Sequence, residues 1–245
     1  MSKKVSVITP FSSENIFLIN RNADSVYSNM LECGFGENDC EHIIVVDTPD
    51  KRQNDIADEI GGRMKHVKII KNSGNIGLPM SRNRGLKVAT GEFIMLLDAD
   101  DEFTPWRFQR QIGFMRDLNL DHSYGGYIEV HGDAPPFNIM SQREIIPPRN
   151  PSESLMRLDN VCYCGSNCFR RELVDRIGMF DGRLTGLGAE DLEYWIRILK
   201  SGGKQAGMQE VLYRLGVHSA NMTAKYIKEG RFPRAYEYIK SKHNI

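Results

Sequence analysis

Asp98 and Asp100 follow directly on an unbroken apolar run, Phe93, Ile94, Met95, Leu96 and Leu97. Such a run is the pattern of a strand buried on both faces. In an open α/β sheet, ligands collect beyond the carboxyl ends of the strands, so two acids spaced i, i+2 are delivered to where a polar ligand would sit. Mg²⁺ is typically held by one or two carboxylates together with substrate phosphates, which makes the pair a candidate metal-diphosphate site. The competing reading is a solvated strand end leading into a helix, with Thr104 as N-cap and Pro105 at the first helical position.

Two further groups of residues have similar potential. Thr9, Pro10 and Phe11 close a first strand, and Asp47 ends a second, Ile43 to Val46. A carboxylate beside an apolar wall can accept from a pyrimidine N–H while the wall packs on the base, a nucleoside pocket; a solvated strand end is the alternative for Asp47. Neither G-x-G-x-x-G nor G-x-x-x-x-G-K follows the first strand, which disfavours a dinucleotide fold and a P-loop. Arg82 follows the turn-rich stretch Asn72 to Gly77, near the start of a helix whose amides and guanidinium can both face an anion, although a surface arginine satisfies the same pattern.

These groups need elements to carry them. The spacing predicts a strand at Val5 to Ile8, then a helix from Glu14 to Leu31 with Ile16, Ile19, Ala23, Val26 and Met30 on one face. A short polar helix is expected from Arg52 to Ile60, stopped by Gly61 and Gly62. A third strand covers Val67 to Ile70, a helix runs from Pro79 to Ala89 with Gly91 at its exit, and the acid-tipped run is the fourth strand. This alternation predicts βαβ units and a mainly parallel sheet for residues 1–103. Further on, Tyr124, Tyr127, Ile128 and Val130 suggest a strand, and Pro135, Pro136, Pro147, Pro148 and Pro151 punctuate a loop. After the loop Gly186, Leu187, Gly188, a helix is expected from Ala189 to Leu199 with Leu192, Trp195, Ile196 and Leu199 facing inward.

Composition limits the alternatives. A chain of 245 residues with 40% hydrophobic and 26% charged residues can bury a sizeable core as one large or two fused small domains. The 32 basic and 32 acidic residues cancel, so no global field recruits nucleic acid or membrane. No signal-peptide pattern and no membrane-length apolar run is visible, and a cytoplasmic location is expected. The five cysteines lack paired C-x-x-C spacing; Cys162, Cys164 and Cys168 share one strand parity, which favours buried thiols over a zinc site.

Taken in order, the segments Val5 to Pro10, Ile44 to Asp47, Asn75-Ile-Gly77 with Ser81 to Gly85, Gly91 to Ile94 and Leu97 to Asp101 resemble glycosyltransferase family 2, of the GT-A type. The similarity continues through Phe169 to Glu172, Ile177 to Asp181 and Gly188 to Asp191 with Trp195 and Arg197, and ends in Val211 to Ser219. The resemblance implies a Rossmann-like mixed α/β sheet flanked by helices. It implies a nucleotide-sugar-binding half over residues 1–103, an acceptor and catalytic half of the same domain over 104–220, and a helical tail over 221–245. Carried onto this sequence, Thr9, Pro10, Phe11, Asn75 and Gly77 line the donor site with Asp47 at the base, Arg82 near the diphosphate, Asp98 by ribose and metal, and Asp100 on Mn²⁺ or Mg²⁺. The chain departs from the family where Asp47-Thr48-Pro49-Asp50 replaces the common Asp-Asp-Gly-Ser and Phe11-Ser12 replaces a Tyr-Asn pair.

By the same resemblance Asp191 is the base of an inverting displacement on a nucleotide-sugar, most simply a UDP-sugar. A sugar hydroxyl is a poor nucleophile and needs such a group within hydrogen-bond reach. The bland alternative is an ordinary acid of a first helical turn, where Glu190 also lies. His218, in a Tyr-Arg-X-His-like segment, is expected to complete the metal shell or meet the diphosphate, or else to be structural. The proline-punctuated loop is expected to shape the acceptor mouth. The tail sets Lys225, Lys228, Arg231, Arg234, Lys240 and Lys242 against Glu229 and Glu237, interleaved with Tyr226, Phe232, Tyr236 and Tyr238. Its aromatics are expected to pack on the body, and its cations either form a solvated face or guide an acceptor glycan, polyol phosphate, lipid headgroup or nucleic acid. A sugar nucleotidylyltransferase and a non-catalytic nucleotide- or glycan-binding module are the rival readings.

Overall fold

The strand that carries the two acids sits in the middle of the molecule. In a computed structural model, which describes residues 3–12, 16–131, 141–218 and 221–245, the chain runs β1 (Val5–Phe11), α1 (Ile16–Glu32), β2 (Cys40–Val46), α2 (Lys51–Arg63), β3 (Val67–Lys71), α3 (Leu78–Val88), β4 (Phe93–Leu96) and β5 (Glu102–Phe103). It continues α4 (Arg107–Asp117), β6 (His122–His131), β7 (Ser141–Ile145), α5 (Ser152–Met156), β8 (Cys168–Arg170), α6 (Glu172–Ile177), α7 (Glu190–Lys200), β9 (Gln205–Val217), α8 (Met222–Lys228) and α9 (Phe232–His243).

These strands form one nine-stranded sheet in the order β3-β2-β1-β4-β8-β6-β9-β5, with β7 added on β6. The pairs β3–β2, β2–β1 and β1–β4 are parallel, as the βαβ spacing predicts. Beyond β4 the sheet turns mixed: β8 is antiparallel to both β4 and β6, while β9 runs parallel to β6.

Side chains of β4 alternate between two buried layers. Ile94 and Leu96 join Ile8, Ile43 and Val45 under Leu86 of α3, Leu192, Trp195 and Ile196 of α7, and Ala235 and Ile239 of α9. Phe93 and Met95 join Val5 and Val7 under Val26 and Met30 of α1 and Phe108, Ile112 and Met115 of α4. A strand covered on both faces needs apolar residues at every position, which explains the unbroken run.

Several expected boundaries move. Helix α2 runs through Gly61 and Gly62 to Arg63, because a Cβ at Gly61 would lie 3.0 Å from Ile69 Cγ1; the glycine permits close helix–strand packing and does not end the helix. Helix α4 begins at Arg107 after Trp106, whose φ is 64°, while Thr104 is held away as its Oγ1 donates to Val211 O at 3.1 Å. Of the cysteines sharing a parity, only Cys168 lies in a strand; Cys164 opens a 3-10 turn, and both they and Cys162 are free thiols. Pro135 and Pro136 fall outside the described residues. No helix among the described residues is long and apolar enough to cross a membrane.

Candidate active site

The parallel register brings the predicted donor residues to one edge of the sheet. Phe11 pairs with Val46 and Ile8 with Leu96, so the chain positions just beyond these strands, Asp47 and Asp98, flank the end of β1. The side chains of β1 itself turn inward. The Phe11 ring is fully buried in the layer with Ile19, Ala23 and Ile44, Pro10 is buried, and Thr9 Oγ1 lies 2.9 Å from His42 Nε2.

Asp47 organises the loop that enters α3. Its Oδ1 accepts from Asn72 Nδ2 at 2.8 Å and from the Ile76 amide at 2.8 Å, and its Oδ2 accepts from the Gly77 amide at 2.9 Å. Gly77 has φ 87°, and a Cβ there would lie 2.4 Å from Thr185 Cγ2, so this turn requires glycine. Asn75 is exposed on the same loop. The loop thereby presents its backbone at the sheet edge in a shape fixed by a buried carboxylate.

Arg82, in the first turns of α3, is 1% exposed and joins the two halves of the site. Its Nη2 donates to Asp98 Oδ1 at 2.8 Å and its Nη1 to Glu190 Oε1 at 2.7 Å. Its guanidinium also lies 5.7 Å from the centre of the Phe180 ring, and its Nε is buried without a partner among the described residues. Two charge-assisted bonds in a forked geometry fix the acid after β4 against the first turn of α7.

Asp191 follows Glu190 in that turn. The turn is entered through Gly186 and Gly188, both at positive φ, and Ala189, a left-handed non-glycine residue at φ 61°. A non-glycine residue in this region costs of order 1–3 kcal/mol and persists where its surroundings over-determine it. Asp191 Oδ2 accepts from Asn160 Nδ2 at 2.8 Å, and Oδ1 from the Leu192 amide at 2.8 Å. Burial pushes its carboxyl above the ordinary range, opposed by the nearby Arg82 charge and by these two hydrogen bonds. Glu190 is raised for the same leading reason, with Arg82 opposing. A carboxylate made more basic by burial and held by a side-chain amide is suited to taking a proton.

The last strand, β9, closes the other side. A Cβ at Gly216 would lie 2.7 Å from Asp100 O, and the Gly216 amide donates to Asp101 Oδ1 at 2.9 Å, so β9 presses directly on the acidic loop. Asp101 is buried, and desolvation followed by the charges of Asp100 and Asp98 pushes it well above the ordinary carboxylate range. Asp100 Oδ2 lies 3.1 Å from His218 Nε2 and accepts from Asn221 Nδ2 at 3.1 Å. The Asp100 and His218 side chains keep 18% and 19% of their surface exposed.

This arrangement bears on a divalent cation. Among the described residues no group of three or more His, Cys, Asp or Glu side chains is placed to hold a metal by itself. Asp100 and His218 offer one carboxylate and one imidazole side by side, while Asp98 is turned onto Arg82. That donor set fits a Mg²⁺ or Mn²⁺ ion that arrives with a diphosphate, because such ions complete their shell with substrate oxygens and water.

Glu190, Asn160 and Asn221 were not singled out by the sequence. Glu190 had one signal, its place directly before Asp191 in an acidic first turn; its pairing with Arg82 follows from the burial of that arginine, which the sequence does not record. Asn160 and Asn221 reach the site from irregular segments, and their contacts carry no periodic signature.

Residues 6–178 match the profile of Glycosyl transferase family 2. An uncharacterized glycosyltransferase MJ1057 of Methanocaldococcus jannaschii is 26% identical over 82% of this chain and 67% of its own length. The UDP-Glc:alpha-D-GlcNAc-diphosphoundecaprenol beta-1,3-glucosyltransferase WfaP of Escherichia coli is 27% identical over 77% of this chain and 71% of its own. Among solved structures, S. aureus TarS superposes with a TM-score of 0.63 at 19% identity, covering 87% of this chain and 37% of that one. TarS 1–349 in complex with UDP-GlcNAc superposes with a TM-score of 0.61 at 16% identity, covering 89% of this chain and 60% of that one.

Proposed function

Because the chain belongs to glycosyltransferase family 2 and is an enzyme that transfers glycosyl groups, we propose that it moves a sugar from a UDP-sugar to an acceptor hydroxyl with inversion. Its sheet and helices form the GT-A fold, as in TarS. The observation that carries the reading is the Arg82 bridge: a single guanidinium joins Asp98, beyond β4, to Glu190 in the turn that holds Asp191. The UDP and UDP-GlcNAc complexes of TarS and the UDP-Glc named as WfaP's donor support the choice of donor.

In this account the backbone of the Asn72–Gly77 loop, fixed by Asp47, borders the nucleotide, and Asp98 faces the ribose while Arg82 holds it. Asp100 and His218 would hold Mg²⁺ or Mn²⁺, which when bound supplies positive charge for the departing diphosphate. Asp191, oriented by Asn160, accepts the proton of the acceptor hydroxyl as its oxygen bonds to the anomeric carbon. The bond from that carbon to the diphosphate oxygen breaks, and its electron pair leaves with UDP. Holding both reactants in one cleft supplies much of the rate enhancement.

A thermal-shift screen of nucleotide-sugars with and without Mn²⁺, followed by an assay of nucleoside diphosphate release, tests the reading. A UDP-sugar that stabilises the protein and yields UDP supports transfer. Release of inorganic diphosphate from UTP and a sugar phosphate, with no UDP from any sugar nucleotide, would instead indicate nucleotidyl transfer.

A further inference from the structure

The helix pair at the C-terminal end presents an unusual surface. None of the seven residues of α8 is buried. Tyr226 faces the body, where its ring and that of Phe232 lie against Gly188 at the entry to α7, and the two rings are 6.3 Å apart. At helical spacing Ala224 and Lys228 lie across the helix from Tyr226, with Ile227 on one flank and Lys225 on the other. Ile227 is 66% exposed, beside Lys228 and, beyond the turn at Gly230, Arg234; Arg231 is paired with Glu229, and Met222 lies one turn before Tyr226, where its Sδ accepts from Tyr226 Oη at 3.5 Å.

Cations alone would suit any polyanion. A bare aliphatic side chain set among them, as Ile227 is, suits a surface with both charge and a hydrocarbon interior. The chain as a whole is neutral, so this cationic excess is local. The same turn borders a cavity of about 340 Å³ lined by Gly186, Leu187, Glu229, Gly230, Arg231 and Arg234. Arg231 ties its floor to the base loop, with Nη1 donating to Gly186 O at 2.6 Å. A surface touching α8 therefore lies next to the loop that leads to Asp191.

We propose that α8 and the turn into α9 dock this protein on an anionic lipid bilayer, with Ile227 entering the headgroup region and Lys225, Lys228 and Arg234 meeting lipid phosphates. Each cation near such a surface strengthens the attachment, and an apolar group that enters adds to it. The docking does not depend on which sugar is transferred, and it is read separately from turnover.

The test is sedimentation of the full-length chain with vesicles of phosphatidylglycerol and phosphatidylcholine, and with vesicles of phosphatidylcholine alone. Binding is expected to the anionic vesicles only, weakening as salt rises. Ile227→Asp and, separately, Lys225→Glu with Lys228→Glu are expected to weaken it by about tenfold or more. Both variants should keep the parent melting temperature and the parent UDP release with a water-soluble acceptor. No binding to anionic vesicles would overturn the proposal. So would binding that Ile227→Asp leaves unchanged while single-stranded RNA competes for it, since that marks a polyanion site in which aliphatic contact plays no part.

Discussion

Arg82 and Glu190 meet at 2.7 Å across 108 residues of sequence, and through that contact the helix after the Asn72–Gly77 loop is joined to the helix whose first turn holds Asp191. The guanidinium also holds Asp98, so one side chain fixes the relative placement of both halves. Replacing it with Met leaves Glu190 buried without its cation. A loss of about 3–5 kcal/mol is expected, toward the lower end because Asp98 stays a third exposed and can be solvated. Urea unfolding at pH 7 measures this, and an unmoved midpoint would show that the bridge does not hold the halves together.

The acid limb of the rate should lie above the ordinary carboxylate range. Burial raises the Asp191 carboxyl, and as the proposed base it is effective only when ionised, so kcat/KM should fall as pH drops through that raised value. The Asn160 amide donates to Asp191 and favours its charged form. Asn160→Ala should therefore move the limb to still higher pH and reduce kcat. A limb that moves downward or stays in place would remove Asn160 from the role of orienting the base.

Gly77→Ala forces a left-handed residue with its methyl against Thr185 Cγ2. Destabilisation of about 1–3 kcal/mol is expected from the backbone alone, and more where Thr185 cannot move. The Asn72–Gly77 loop should loosen with it, seen, if it borders the nucleotide as proposed, as a weaker thermal shift by the UDP-sugar. Full donor stabilisation in this variant would show that the Asp47-held turn does not shape the donor site.

His218→Ala removes the imidazole beside Asp100 but leaves the carboxylate with Asn221. The concentration of Mn²⁺ giving half-maximal UDP release should rise at least about tenfold, in line with the usual loss of a metal-site partner. Asp100→Asn should raise it further. An unchanged Mn²⁺ requirement in both variants would separate this pair from the cation.

Much of the fold was legible because its signals are local. The run Phe93–Leu97 has no polar position, and the strand it forms is covered on both faces. Parallel pairing of the first four strands followed from their spacing. Glycine was the ambiguous letter: Gly61 reads as a stop signal, yet it lies within a helix that packs tightly on Ile69. Thr104 reads as a helix cap, yet β9 claims its hydroxyl. In each case a partner distant in sequence decided the outcome.

The site divides in the same way. Asp98, Asp100 and Asp47 stand at strand ends, where type and position are readable together. What these carboxylates bond to was not readable. Asp47 is occupied by its own loop, Asp98 by Arg82, and Asp100 faces His218 from the far end of the sheet. Such contacts depend on how β4, α3, α7 and β9 converge, which no window of the sequence records.

On the proposed mechanism Asp191 takes the proton from the acceptor while the rest of the site binds the donor. Asp191→Asn keeps the shape and one acceptor oxygen, which can still meet either the Asn160 side chain or the Leu192 amide, though not both. Calorimetric titration with the UDP-sugar identified by the screen, paired with UDP release under saturating acceptor, is the direct measurement. Donor affinity within about twofold of the parent and a kcat lower by roughly 10²–10⁴-fold is the predicted result. Parent-like turnover in the Asn variant would contradict the account.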